Sequence, residues 1–360
     1  MIANDNDNIQ AYHVGGKVSK VRFVTPASYS DGSVFAVTGT WDEEQDNTLS
    51  LHQIFRTLQP FPTSQFNPFR TKSVTDIKHE GEIRDLHFLS HDLFLTASSL
   101  GRINLFRIAE SDPKTQSDTT HKIKLEYSNT THGSGTGRPL AATGIAVEPN
   151  NDMNPEIASV GEDGRLVCFR IEENQNDIAE QIDAAVINGI SWPTSKEIIV
   201  VTSGGQLKKF DRRDLRKSAA VAVDKDYAED SLTSVACNPS QITQIAVGSS
   251  SGLVTVWDSK NLSKPLKQFQ VHQANVWEVM FHPNRAGYIL TGSEDGSVSF
   301  INLSGALTDL SDVHTQTRRS FSKATSMLNP LGINSIDYHP IAKLFIAGGD
   351  NEKILLSDLS

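Results

Sequence analysis

Cysteine is nearly absent from this 360-residue chain: only Cys168 and Cys237 occur, and they form no CxxC pair. A disulfide framework and a four-cysteine zinc site are therefore excluded. No apolar run approaches the ~20 residues that a membrane-spanning helix needs; the longest candidate, EIIVV at Glu197–Val201, is strand-sized. The opening MIANDNDNIQAYHV has no basic region followed by an apolar core, so no secretory signal and a reducing, intracellular setting are expected. In that setting the Asn-x-Ser/Thr triplets at Asn129, Asn261 and Asn302 are chance matches. Lys and Arg are outnumbered, 33 to 43, for a formal charge of -10. This works against a broad phosphate-binding surface, and neither direct nucleic-acid binding nor membrane insertion is expected. No Gly-Lys-Ser/Thr phosphate loop, HExxH helix or Gly-x-Ser-x-Gly elbow is present. With 38% hydrophobic and 21% charged residues, the composition is that of a globular protein able to bury a sizeable core.

What the chain does have is repetition. VTGTWDEEQDNTLSLHQI from Val37, LTASSLGRINLFRI from Leu95, ASVGEDGRLVCFRI from Ala158, VTSGGQLKKFD from Val201, AVGSSSGLVTVWD from Ala246, LTGSEDGSVSFIN from Leu290 and IAGGDNEKILLSD from Ile346 share one grammar. Each is an apolar strand ending in small residues, a turn, and a second strand. A further alternating strand precedes each copy, from Val18, Ile83, Gly144, Ile187, Leu232, Val276 and Ile333, often closed by proline, which has no N–H to continue a ladder. Seven such units without a helical segment predict an all-β fold, a seven-bladed β-propeller of four-stranded antiparallel blades. The seventh copy stops at its third strand while Ile9–Val14 belongs to no unit, so the N-terminal strand is expected to complete the last blade and close the ring. The expectation is one propeller domain over residues 1–360, with a flexible N-terminus at 1–8 and insertions near 57–73, 111–120 and 307–328.

Few residues invite a chemical role. Glu294-Asp295-Gly296 could be an acid cluster, but EDG recurs at Asp163 and becomes Ser-Gly or Leu-Gly elsewhere, which tracks a hairpin turn, expected to be type I′. The glycine-rich THGSGTGRP at Thr131–Pro139 opens no helix and is read as a connection. His79, His87 and His91 lack the spacing of metal ligands, and the two cysteines fall in strands as small buried hydrophobes. No catalytic residue, metal or cofactor is expected. Partner binding is the remaining role. Phe61, Phe66 and Phe69 lie in the first insertion among prolines and polar residues, as interface aromatics do. In each unit the residue after the first apolar position of the inner strand should point to the rim: Ser19, Arg84, Thr143, Asn188, Thr233, Trp277 and Asn334. Arg84, Trp277 and Asn334 are the candidates here, and the Trp277 indole fits either an interface anchor or packing between blades.

The repeats resemble the WD-repeat family, in decayed form. Trp257-Asp258 keeps the terminal pair, which Phe106-Arg107, Phe169-Arg170, Phe210-Asp211 and Ser357-Asp358 replace. The hydrogen-bonded His, Ser/Thr, Asp, Trp tetrad is expected to be incomplete, with His272, Ser293 and Asp295 but Phe300 in blade six. KVSKVRF, FAVTGTWDEEQDNTLSLHQI, PEIASVGEDGRLVCFR and HQANVWEVMFHP look like the WD-repeat nucleoporins of the Y-shaped outer-ring complex of the nuclear pore; the likeness runs from Lys17 to Phe300 with interruptions. It implies a non-enzymatic scaffold subunit supporting pore assembly and nucleocytoplasmic transport. It also implies docking on other nucleoporins, a helical-solenoid subunit of the short arm among them, a place at the nuclear envelope, and a presence at kinetochores where the complex relocates in mitosis. Phe210-Asp211-Arg212-Arg213 resembles the Trp-Asp-x-Arg box of WD-repeat substrate receptors for cullin-type ubiquitin ligases. That receptor and a generic assembly scaffold are the alternatives.

Overall fold

In a computed structural model, residues 9–24, 32–42, 46–56, 69–110, 121–151, 154–171, 178–223, 230–303 and 331–358 are described. They contain 27 strands and no helix. The strands form seven antiparallel sheets, six of four strands and one of three. The three-stranded one is blade six, and residues 304–330 that follow it lie outside the described set, as do 1–8, 57–68 and 111–120. Three of the four segments expected to be flexible or inserted therefore lie wholly outside the described residues, and only 69–73 of the first insertion is described.

Each blade begins with an inner strand: Val18–Phe23, Ile83–Phe88, Ala142–Val147, Ile187–Thr194, Leu232–Cys237, Val276–Phe281 and Ile333–His339. Consecutive inner strands touch, and the last touches the first, so the sheets stand in a ring around a channel. The second strand of a blade is covered on both faces, which is why Val34–Thr40 and Leu344–Gly349 are buried throughout and read as apolar runs without alternation. The core is divided accordingly into seven clusters, one at each junction between blades. Between blades three and four, for example, Val160, Leu166 and Cys168 meet Ile190, Trp192 and Phe210.

Gln10–His13 pairs antiparallel with the final strand, in the register Gln10 to Leu356 through His13 to Lys353, as the orphan N-terminal segment implied. The same strand grips blade one. Gln10 Oε1 accepts the Phe69 backbone N–H at 3.0 Å, and the Tyr12 hydroxyl donates to the Phe69 carbonyl. Phe69 is thereby corrected: it is not a loop aromatic but the first residue of the strand Phe69–Lys78, 1% exposed in the core between blades one and seven. Phe61 and Phe66 lie outside the described residues.

The turn assignment needs a correction too. Gly164 and Gly296 have positive φ, but Asp163 and Asp295 do not, and Gly164 N donates to Gly161 O at 3.1 Å, as Gly296 N does to Ser293 O. This is a type I turn followed by a left-handed residue, not type I′. At Gly164 a Cβ would also stand 2.2 Å from the Asp183 carbonyl oxygen, so glycine is required twice over.

The aspartates do more than turn the chain. Asp163 accepts His132 Nδ1–H at 2.8 Å and the backbone N–H groups of Gly133 and Arg165. Asp295 does the same with His272 (3.2 Å), Gln273 and Ser297. Nε2 of each histidine meets a hydroxyl, Ser159 at 2.9 Å and Thr291 at 2.7 Å. Blade six thus uses Thr291, not Ser293, and these two blades, three and six, each hold three of the four members of the WD-repeat tetrad.

Burial alone would raise both carboxyls, but the hydrogen bonds from His132 to Asp163, and from His272 and Ser297 to Asp295, outweigh it and hold both below the usual range. A depressed folded pKa means stability that is present above the unfolded value of ~3.9 and lost as pH falls below it. The Asp163→Asn/Asp295→Asn variant should be about 2 to 4 kcal/mol less stable than wild type at pH 7, and the gap should narrow below about pH 4. Urea denaturation at pH 7 and pH 3.5 checks this; a gap that stays constant contradicts it. Deleting residues 1–15 should lower Tm by about 5 °C or more and expose the edge of the last blade to self-association. A truncated chain that melted with wild type and stayed monomeric would contradict the closure.

Candidate functional site

All seven inner strands carry the same irregularity. The register with the second strand shifts across one residue, between Val18 and Lys20, Ile83 and Asp85, Ala142 and Gly144, Ile187 and Gly189, Leu232 and Ser234, Val276 and Glu278, and Ile333 and Ser335. The skipped residues are Ser19, Arg84, Thr143, Asn188, Thr233, Trp277 and Asn334, the seven expected at the rim. A β-bulge re-aims the side chain of its extra residue. Here the seven bulges turn these side chains into a shared depression of about 570 Å³ at the channel mouth, lined also by Lys20 and Trp41.

At four junctions the bulged side chain ties its blade to the next. Thr143 donates to Ile187 O, Asn188 to Leu232 O at 2.7 Å, Thr233 to Val276 O at 2.6 Å and Asn334 to Val18 O at 3.0 Å. Ser19 instead donates to Gly39 O within its own blade, and Arg84 pairs with Glu82 at 2.6 Å. Trp277 is 39% exposed. The side chain lines the mouth with the rest of its surface covered, so both roles, interface anchor and packing between blades, stay open to it. Trp41 was not foreseen there: its indole N–H donates to Asp350 at 3.0 Å, and the Lys17 ammonium lies 5.2 Å from its ring centroid.

Beneath the mouth lies a cavity of about 290 Å³. One side is lined by Thr143–Val147, Asn188–Trp192 and Thr233–Val235, the other by Lys20, Arg22, Asp85, His87 and Glu278. Blades three to five thus present small residues, while the charges gather in blades one, two, six and seven. Arg22 is the centre of this group: it pairs with Glu278 of blade six, lies 3.9 Å from Asp85 of blade two and donates to Ser335 Oγ of blade seven at 2.9 Å. The carboxylates in turn accept backbone N–H groups of the following blade, Glu278 from Ile336 at 2.9 Å, Asp337 from Phe23 at 2.7 Å and Asp85 from Ile145 at 2.9 Å. Enclosure would raise the Glu278 carboxyl, but Arg22 and Lys20 hold it low; the Asp337 carboxyl, less well paired, is pushed up to about 6 by burial.

The other residues considered for chemistry have structural partners. Cys168 and Cys237 are free thiols pushed up to about 12 by burial, poor nucleophiles near neutral pH. His79 bonds Thr96 at 2.9 Å and contacts the Gly81 carbonyl, and among the described residues no three His, Cys, Asp or Glu side chains converge as metal ligands. In the segment Phe210–Arg213, Phe210 is buried, Arg212 pairs with Glu156 of blade three and Arg213 folds back on Asp211 at 2.5 Å.

Arg22→Met leaves Asp85 without its cation and Glu278 with only Lys20, 3.9 Å away. Because channel water still reaches them, the expected loss is about 2 to 4 kcal/mol, below the full cost of breaking a buried pair. Arg22→Met/Glu278→Met should recover most of it, since the unpaired charge goes with the second substitution. Chemical denaturation of the three proteins checks the cycle, and a double variant no better than the single contradicts it.

Known proteins resemble this chain in sequence. The family described as WD domain, G-beta repeat matches residues 263–302, a span that takes in the outer strand of blade five and the first three strands of blade six. Human nucleoporin Nup43 is 29% identical over 323 residues, 87% of this chain and 81% of its own. The mouse protein is 29% identical over 338 residues, 91% of this chain and 85% of its own. Histone acetyltransferase type B subunit 2 of Candida glabrata is 22% identical over 62% of this chain and 50% of its own. With seven blades in a ring and a WD repeat matched across two of them, this chain resembles the WD-repeat nucleoporin Nup43 along most of its length.

Proposed function

We propose that the chain is a nucleoporin: a non-catalytic WD-repeat scaffold subunit of the Y-shaped outer-ring complex of the nuclear pore, supporting pore assembly and nucleocytoplasmic transport. The observation that carries this is the span of the likeness, which covers 87% and 91% of the chain against two nucleoporins and so takes in most of the ring, not one repeat. The chemistry of the surface agrees. A net charge of -10 disfavours direct nucleic-acid binding, and the polar groups that might have formed an active site are spent on hydrogen bonds within and between blades. On this reading the partners are other nucleoporins, a helical-solenoid subunit of the short arm among them, and the location is the nuclear envelope. The kinetochore expectation has no support beyond the original resemblance, and the ubiquitin-ligase alternative rests only on the segment Phe210–Arg213.

Tagging the chain at its own locus tests the reading. A fluorescent rim at the nuclear envelope, together with co-isolation of outer-ring nucleoporins in stoichiometric amount, is expected. A diffuse distribution with co-isolation of a cullin adaptor would overturn it in favour of the receptor.

A further inference from the structure

Blades five, six and seven end their inner strands in the same way. Asn238-Pro239, His282-Pro283 and His339-Pro340 follow or close those strands, and the side chain ahead of each proline accepts backbone N–H groups of the turn beyond. Asn238 Oδ1 accepts from Ser240 at 2.9 Å and Gln241 at 3.2 Å. His282 Nδ1 accepts from Asn284 and Arg285, each at 3.1 Å, and His339 Nδ1 accepts from Ala342 at 3.0 Å. Blade five thus does with an amide, which does not titrate, what blades six and seven do with an imidazole.

An Nδ1 that accepts places the ring proton on Nε2. His282 and His339 are 3% and 0% exposed, and among the described residues Nε2 of each is buried without a hydrogen-bond partner. Four other buried histidines, His52, His79, His132 and His272, set Nε2 against a Ser or Thr hydroxyl, which can turn to suit either charge state. At His282 and His339 a second proton enters only at Nδ1, where it meets the N–H groups now bound there, donor against donor.

The two rings stand at the junctions on either side of blade seven. His282 lies 4.3 Å, centroid to centroid, from Tyr338 of blade seven and 5.7 Å from Phe300 of its own blade, and His339 lies 5.5 Å from Phe23 of blade one. Tyr338 is kept neutral by burial. Of the charged groups around the rings, Arg285 acts against a cation at His282, Lys343 in the turn after His339 is exposed, and Asp358 is held by Arg56 of blade one, which also donates to the Ala342 carbonyl. Burial and Arg285 push the His282 imidazole down to about 4, and burial lowers that of His339. For a base held below its unfolded value of ~6.5, stability is complete above that value and is lost as pH falls through it toward the folded one.

We propose that His282 and His339 form an acid-sensitive clasp on blade seven: protonation at Nδ1 releases the turns that end the inner strands of blades six and seven, and blade seven loosens from both neighbours before the other blades open. Blade seven is suited to this because its junction with blade one is closed by the four-residue strand Gln10–His13 and not by a continuous chain. The clasp does not depend on which complex the chain enters.

Hydrogen–deuterium exchange of the full chain at about pH 7 and about pH 5, with labelling times scaled to the intrinsic exchange rate at each pH, tests the clasp. In wild type, protection should fall at the lower pH in Ile333–His339, Leu344–Gly349 and Lys353–Asp358. The expected drop is about tenfold or more, the change in opening that linkage gives for one histidine moved from ~6.5 to about 4. Ile187–Thr194 and Glu197–Thr202 of blade four should hold. His282→Asn/His339→Asn, which installs the side chain of blade five, should fold at neutral pH and lose this selectivity. Were the double variant to unfold, each single variant would decide, by keeping only part of the drop. Protection that falls evenly in all blades, does not fall, or falls in the Asn variants as it does in wild type would overturn the proposal.

Discussion

Closing the ring is the constraint on which the other features depend. A chain of seven blades folds in sequence order, but the junction between blades one and seven joins residues more than three hundred positions apart. Bringing such ends together in an otherwise free chain costs about 5 kcal/mol of entropy beyond a constant term. Three separate contacts offset it here. Gln10–His13 adds a strand to the last blade, Gln10 and Tyr12 hold the backbone of Phe69 in the first, and Arg56 pairs with Asp358 at the periphery. Arg22 adds a fourth from inside the channel, reaching blades two, six and seven from blade one. The junction is thus pinned at its rim, its middle and its axis.

The distribution of charge in the channel follows from the same need. Blades three, four and five are joined to their neighbours by apolar clusters and by the hydroxyl and amide groups of Thr143, Asn188 and Thr233, and their inner strands carry small residues facing the axis. Around the closing junction the inner strands carry Lys20, Arg22, Asp85, Glu278 and Asp337 instead. Ion pairs in a half-open channel give less stability than apolar packing would. What they supply is direction: each carboxylate accepts an N–H from one particular strand of the following blade, and Asp337 does so across the junction from blade seven to blade one, where the blades are not consecutive in the chain.

Much of this was legible in the sequence because a propeller repeats its grammar seven times. The blade count, the order of strands and closure by the N-terminal segment all followed from apolar strands placed around small-residue turns. The seven rim positions were legible for the same reason, since one offset from the first apolar residue of each inner strand sufficed. The misread residues were those whose role depends on a distant partner. Phe69 looked like a loop aromatic because nothing local shows that Gln10 will take its N–H. Asp163 looked like a turn residue alone because the histidine that it holds lies 31 positions away, whereas the resemblance had already set His272 beside Asp295 in one tetrad and missed only Thr291. The Arg22 cluster went unread although a signal existed, in that KVR, RDLH and NSID place charges inside strands whose other positions are apolar; four blades had to be superimposed to see that these charges face one another.

The bulge common to every inner strand links architecture to function. A regular strand would alternate its residues between core and channel, leaving the first channel-facing side chain below the rim. One extra residue per blade lifts a side chain to the surface, and because it lies outside the ladder its identity is not fixed by packing. The ring uses that freedom unevenly. Four positions hold a Thr or Asn that fastens the next blade, so the scaffold keeps its rigidity, while Arg84 and Trp277 are released from that duty and face solvent. The channel mouth can therefore vary its chemistry, residue by residue, without disturbing the seven clusters beneath it.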